Sequence, residues 1–248
     1  MAAQPDRIWK CLFQIFIVEQ FRKSVIQHQG CDQDTKEQEA EIKTSFHNIK
    51  FSKKIFVIFD LMELKERKQI ALLVGSLRKE SLNRKMARVL IDLAPDIMDL
   101  EIVEIGNLPL YNEDLEENTP REWSAFRKKI KEFDGIIFIT PEYNRSTTAA
   151  MKNAIDVGSR PYKQNVWSNK PSAVISVSMG AVGGFGANHH LRQSLVCLNA
   201  PVMAQPEMYI GGAADLFDSK GNLTDSRMEE LIHKFFRSYG RWLCKFVE

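Results

Sequence analysis

The sequence predicts an α/β fold: a five-stranded parallel sheet with helices on both faces. Three observations carry that prediction. From residue 69 onward, short apolar runs alternate with segments of helical periodicity, the pattern of strand–helix–strand units. The run at 135–140, Gly-Ile-Ile-Phe-Ile-Thr, is apolar without alternation, as a strand covered on both faces has to be. The runs end in loops of glycine, serine, asparagine and proline, which mark a chain leaving a sheet.

Taken in order, the first strand spans 70–74 and stops at Gly75. A loop of hydroxyls and cations, Ser76-Leu77-Arg78-Lys79-Glu80-Ser81, then opens into a helix over 83–93, which Pro95 ends. A second strand at 100–105 leads into a loop over 106–112. Pro120 suits a first helical turn, where its missing N–H costs nothing, and starts a helix reaching 133. The strand at 135–140 is followed by a helix over 148–159, a strand at 173–177 and a helix over 188–199. The fifth strand lies at 202 or at 208–210. A last helix over 225–246 sets Met228, Leu231, Ile232, Phe235, Tyr239, Trp242 and Phe246 on one face, a core stripe.

The first 61 residues read differently. Residues 6–26 suit a helix with Ile8, Leu12, Phe13, Phe16 and Val18 inward, and 27–46 are polar and charged with little to bury, which predicts poor order. Met62 lies a few residues before the first strand. The expected organisation is an N-terminal extension over 1–61, one origin being a translation start placed too far upstream, and one functional domain over 62–248. A chain of 248 residues, 44% hydrophobic and 27% charged, can build a sizeable soluble core.

Over 69–248, 22 basic side chains balance 22 acidic ones with no basic stripe, which argues against a nucleic-acid surface. Cys11, Cys31, Cys197 and Cys244 are widely spaced with no CxxC pair, so neither a disulfide framework nor a zinc site is expected, and a reducing cytoplasm is. Cys197 lies in an apolar helix segment and is expected in the core. No apolar run reaches the length of a membrane span. The stretch 8–18 is short, is interrupted by Lys10 and Gln14, and lacks a small-residue cleavage site, so it does not read as a signal peptide.

In a parallel sheet ligands bind beyond the carboxyl ends of the strands, near the point where the strand order reverses. The loops after strands one, three and four should therefore carry the chemistry. The first has Ser76, Arg78, Ser81 and Asn83 at the start of a helix, whose unpaired N–H groups and partial positive charge suit an anion. A helix capped by Ser81 explains the same spacing. The third strand opens into Pro141-Glu142-Tyr143-Asn144-Arg145-Ser146, where proline turns the chain and frees the following amides. The fourth opens into Ser178-Met179-Gly180-Ala181-Val182-Gly183-Gly184-Phe185-Gly186, whose glycines allow close backbone approach to a planar or charged ligand. Neither a dinucleotide fingerprint after the first strand nor a P-loop, a GxSxG elbow or an HExxH motif is present. Adjacent His189 and His190 point about 100° apart on a helix and make no metal pair. Lys152 and Asp156 read as a surface pair at i,i+4.

Together these motifs are specific. Gly75-Ser76-Leu77-Arg78 with Ser81 and Asn83, then Pro141-Glu142-Tyr143-Asn144, then Lys152-Asn153-Ala154-Ile155-Asp156 resemble the NAD(P)H-dependent FMN reductase family. Ser178-Met179-Gly180 with Gly183-Gly184, then His190-Leu191-Arg192-Gln193 and Pro206-Glu207, are similar to its chromate and quinone reductase branch. The resemblance covers about 68–245 and does not extend to Arg145 or Ser146-Thr147-Thr148, which leaves the rim of the acceptor pocket unassigned.

It implies a flavodoxin-like three-layer α/β/α sandwich with strand order 2-1-3-4-5. It also implies that Ser76, Arg78, Ser81 and Asn83 hold the FMN phosphate. Pro141, Glu142, Tyr143 and Asn144 would line the isoalloxazine and ribityl chain, and Ser178, Met179, Gly180 and Gly183 would cover the ring's other side. NADPH or NADH is the implied co-substrate, passing electrons by a ping-pong order to quinones, flavins, azo compounds or oxidised metals such as chromate. Homodimers pairing into homotetramers are implied as well, with Tyr143, Arg192 and Glu207 as a polar network, Arg192 and Glu207 pairing as ions, at the contact. No catalytic side chain and no metal are expected, because the cofactor carries the chemistry. The alternative is a non-enzymatic electron carrier of flavodoxin type, against which the neutral charge balance speaks.

Overall fold

A computed structural model describes residues 66–247. The expectations for 1–61 lie outside them. Five parallel strands form one sheet: β1 (Lys68–Val74), β2 (Met98–Val103), β3 (Gly135–Thr140), β4 (Ser172–Val177) and β5 (Met208–Ile210), in the order β2-β1-β3-β4-β5. The order reverses between β1 and β3, so the switch point lies at their carboxyl ends. Helices α1 (Leu82–Leu93) and α5 (Ser226–Leu243) cover one face. Helices α2 (Arg121–Lys131), α3 (Ala149–Ser159) and α4 (Phe185–Cys197) cover the other.

Two cores result, one on each side of the sheet, and the period of two divides the strands between them. Ile70, Leu72 and Val74 of β1 pack with Met86, Leu90, Ile232 and Phe235. Ala71 and Leu73 pack with Trp123, Phe126, Met151 and Trp167. Every residue of β3 and β4 is buried, as the unbroken apolar run of β3 requires. This two-sided burial makes the sheet a rigid platform for the loops at its edge.

Several boundaries differ from those expected. Strand β2 starts and ends two residues early because its pairing with β1 begins at Lys68 and Met98, directly after a turn in which Met98 N–H donates to Pro95 O. Glu104 has left the sheet and pairs with Arg84 at 2.7 Å. Helix α4 starts three residues earlier than expected. Gly184, in the left-handed region at φ 75°, turns the chain, and a carboxylate from another loop satisfies the new helix end. Strand β5 is Met208–Ile210, whereas Val202 forms an isolated bridge to Ser172.

The expected core position of Cys197 is corrected: it is exposed, as is Val196, because only Leu191 and Leu195 of that turn face the sheet. On α5 the stripe from Ile232 to Tyr239 is buried, but Phe246 lies beyond the helix and is 42% exposed. Among the described residues no helix is long and apolar enough to cross a membrane.

Candidate functional site

At the carboxyl edge of the sheet the three loops are bonded into one framework. Gly75 N–H donates to Ile139 O at 2.8 Å, and Thr148 Oγ1 donates to Gly75 O at 2.7 Å. Those bonds tie the loop after β1 to the end of β3 and the start of α3. Asn83 Nδ2 donates to Val177 O at 3.3 Å, joining α1 to the end of β4. Ala187 N–H donates to Glu142 Oε2 at 3.1 Å, joining the loop after β3 to α4. Ser176 Oγ donates to Gly183 O at 2.7 Å and folds the glycine loop back over its own strand.

The first loop has the character of an anion and hydroxyl site. Ser76, Ser81 and Asn83 are buried at 4%, 3% and 4% exposure. Ser81 caps α1, accepting from Arg84 N–H at 3.1 Å, and the first turn of α1 holds no acidic residue. Arg78 is exposed and forms no ion pair among the described residues. Asn83 Oδ1 is fully buried and has no hydrogen-bond partner among the described residues. An orphaned buried acceptor costs about 1–3 kcal/mol, so its natural place is against a ligand that donates a hydrogen. At the other two helix starts of this edge the partners are internal. Thr148 Oγ1 accepts from Met151 N–H in α3, and the Glu142 carboxylate already supplies negative charge at α4.

The walls of the crevice come from the other two loops. Tyr143 and Ser146 exchange two backbone hydrogen bonds of 2.9 Å around Asn144 and Arg145, whose φ values are 49° and 66°. That is a tight hairpin turn with both central residues left-handed. Tyr143 is 52% exposed, Asn144 is exposed, Pro141 is half-buried, and the Glu142 side chain is 14% exposed. In the glycine loop Ser178 Oγ accepts from Gly180 N–H at 3.2 Å, while Met179 is 68% exposed. Gly183 has φ 64°, and a Cβ there would lie 2.6 Å from the Tyr209 carbonyl carbon, so only glycine fits.

The remaining expected residues lie apart from this crevice or do other work. Arg192 donates to Asn188 Oδ1 at 2.8 Å and to Met203 O at 2.9 Å. Burial pushes its guanidinium pKa down, and Tyr209 and Glu207 partly restore it. Among the described residues Arg192 and Glu207 form no ion pair, and Tyr143 is hydrogen-bonded to neither side chain. Tyr209 instead bonds His189 Nε2 at 3.0 Å, and burial with hydrogen bonding to Glu207 pushes its pKa up to about 12. Lys152 and Asp156 pair at 2.7 Å on the surface of α3.

Sequence reasoning missed two structural roles. Glu142 caps a helix 45 residues away. Asn153 clamps the loop after β2, accepting from Tyr111 N–H and donating to Leu108 O and Pro109 O. No local pattern marks either, because their partners lie more than 40 residues away in the chain.

The residues present fit FMN. A buried acceptor awaiting a donor, buried hydroxyls beside a helix start, a free arginine and an open, glycine-lined edge match a ligand with hydroxyls, a phosphate and a flat ring. Comparison with known proteins agrees. The chain is 57% identical over 175 residues to a quinone reductase of Pseudomonas putida, covering 70% of this chain and 94% of that protein. It is 41% identical over 175 residues to a 2-hydroxy-1,4-benzoquinone reductase of Burkholderia sp, covering 71% and 96%. Its structure is similar to that of FerB, a flavoenzyme NAD(P)H:(acceptor) oxidoreductase from Paracoccus denitrificans, with a TM-score of 0.69 at 38% identity over 72% of this chain and 98% of that one. Residues 69–215 match the NADPH-dependent FMN reductase family, and the chain belongs to it.

Proposed function

We propose that the protein is an FMN-dependent NAD(P)H:quinone oxidoreductase acting in the cytoplasm as a homodimer or homotetramer. The orphaned Oδ1 of Asn83 carries the reading. Asn83, expected at the phosphate, spends its Nδ2 on Val177 O, and its remaining Oδ1 is an acceptor that suits a ribityl hydroxyl rather than a phosphate oxygen. Arg78, Ser76 and Ser81 would hold the phosphate beside it at the start of α1. Pro141, Glu142, Tyr143 and Asn144 would line the ring on one side, and Ser178, Met179, Gly180 and Gly183 on the other.

FMN, when bound, supplies a two-electron carrier that accepts hydride from NAD(P)H and reduces the acceptor. The chain's part is position and field. Backbone N–H groups of the loops after β3 and β4 would donate to the negative charge that a reduced ring carries. Met179 and Tyr143, both exposed, offer flat or pliable apolar surface to a planar substrate. With one open edge serving both reactants, nicotinamide and acceptor would use it in turn, a ping-pong order. Quinones, free flavins, azo compounds and oxidised metals such as chromate are all admissible acceptors at so open an edge. Exposed Val196 and Phe185 on α4 support self-association, which light scattering of the purified protein checks.

Steady-state oxidation of NADPH with benzoquinone tests the reading. Parallel double-reciprocal lines are expected. Absence of turnover without an added reductase would identify a carrier, and intersecting lines would exclude the ping-pong order.

A further inference from the structure

We propose that Arg145 is the residue that reads the phosphate of the nicotinamide nucleotide, an inference that rests on the NAD(P)H-dependent reading above. Arg145 stands at φ 66°, in the left-handed region that side chains other than glycine and asparagine avoid. The turn that holds it there is rigid. Tyr143 and Ser146 exchange two hydrogen bonds of 2.9 Å across it, and Ser146 Oγ lies 3.0 Å from His190 Nδ1. The first turn of α4 presses against it so closely that a Cβ on Gly186 would lie 2.7 Å from Arg145 O.

This stiff support displays a cation. The Arg145 side chain is 80% exposed, and its ion pair with Glu142 is long, at 3.4 Å. The other Glu142 oxygen is committed to Ala187 N–H. Most of the guanidinium fork is therefore left for a ligand, held by backbone that needs no ordering on binding.

Charge decides which ligand. FMN carries one phosphate, and its holder is the first loop with Arg78. Arg145 is on the loop after β3, two residues from the exposed Tyr143. Quinones are neutral. Other acceptors vary in charge, so the anionic reactant common to every turnover is the nicotinamide nucleotide, whose phosphates match a planar, bidentate donor. The 2′-phosphate of NADPH and the pyrophosphate common to NADPH and NADH share this chemistry.

Arg145→Asn tests the assignment, since asparagine tolerates the left-handed turn and removes the charge and the donor fork, and Arg145→Lys restores the charge. In the FMN-loaded enzyme with benzoquinone, Arg145→Asn is expected to raise KM for NADPH about tenfold or more, with kcat, FMN content and KM for benzoquinone near wild type. Arg145→Lys is expected to recover part of the loss. A rise for NADPH alone assigns the contact to the 2′-phosphate, and an equal rise for NADH assigns it to the pyrophosphate. An unchanged KM for both nucleotides overturns the proposal, as does loss of FMN from the variant. If the wild-type enzyme itself fails to oxidise either nucleotide, the underlying functional reading falls instead.

Discussion

Replacing Asn83 with leucine separates a site built for a ligand from one built for stability. In the free protein the side chain makes one hydrogen bond, Nδ2 to Val177 O at 3.3 Å, and leaves Oδ1 buried without a partner. The bond is worth about 0.5–1.5 kcal/mol, and the orphaned acceptor costs about 1–3 kcal/mol. Leucine keeps the branched shape with greater volume and removes both, but it also takes a donor from Val177 O; these terms roughly cancel, so FMN-free protein should change by about 1 kcal/mol or less. The FMN-loaded protein loses a satisfied buried hydrogen bond. That loss, about 1–3 kcal/mol, corresponds to roughly 5- to 150-fold weaker FMN binding. It lowers the melting temperature of the loaded form by about 2–4 °C per kcal/mol for a folded body of this size. Thermal melts of both forms and a flavin-fluorescence titration read the two effects separately. The reasoning is refuted if FMN affinity is unchanged, or if the free form loses as much stability as the loaded one.

Arg78→Ala should weaken FMN retention and flatten its salt dependence, read as flavin content after dialysis in rising salt; unchanged content removes the phosphate assignment. Gly186→Ala sets helix propensity, a gain of up to about 1 kcal/mol, against contacts at 2.7 Å with Arg145 O and 3.0 Å with Glu142 Oε2. The clash with fixed backbone should win, lowering the melting temperature and slowing turnover, whereas a higher melting temperature would show that the hairpin gives way. Tyr209, its pKa raised to about 12, is protonated more readily in the folded than in the unfolded chain. Its contribution is present below about pH 10 and is lost as pH rises toward 12, so Tyr209→Phe should shallow the alkaline loss of stability in melts across that range.

The sheet was legible because its signals are local. The unbroken apolar run of β3 and the strand–helix alternation appear as expected, and so does the pairing of Lys152 with Asp156. What sequence could not show acts at a distance. Helix α4 begins at Phe185 because Glu142, on another loop, supplies the negative charge at its start. The turn at Asn144-Arg145 lacks the usual glycine at its second position, so its left-handed geometry had no marker. Cys197 was misplaced because an apolar stretch was read as a buried face, although successive helical residues point in different directions. Within the candidate site, the residue types around the crevice were readable from the three loops. The orphaned oxygen of Asn83 was not, because it depends on which neighbours fail to reach it.

The most direct test of the central claim is an anaerobic titration of the purified protein, following the absorbance of oxidised flavin. Addition of NADPH should bleach it, and a stoichiometric amount of benzoquinone should restore it. A protein that carries no FMN, does not bleach, or stays bleached when quinone is added would contradict the account.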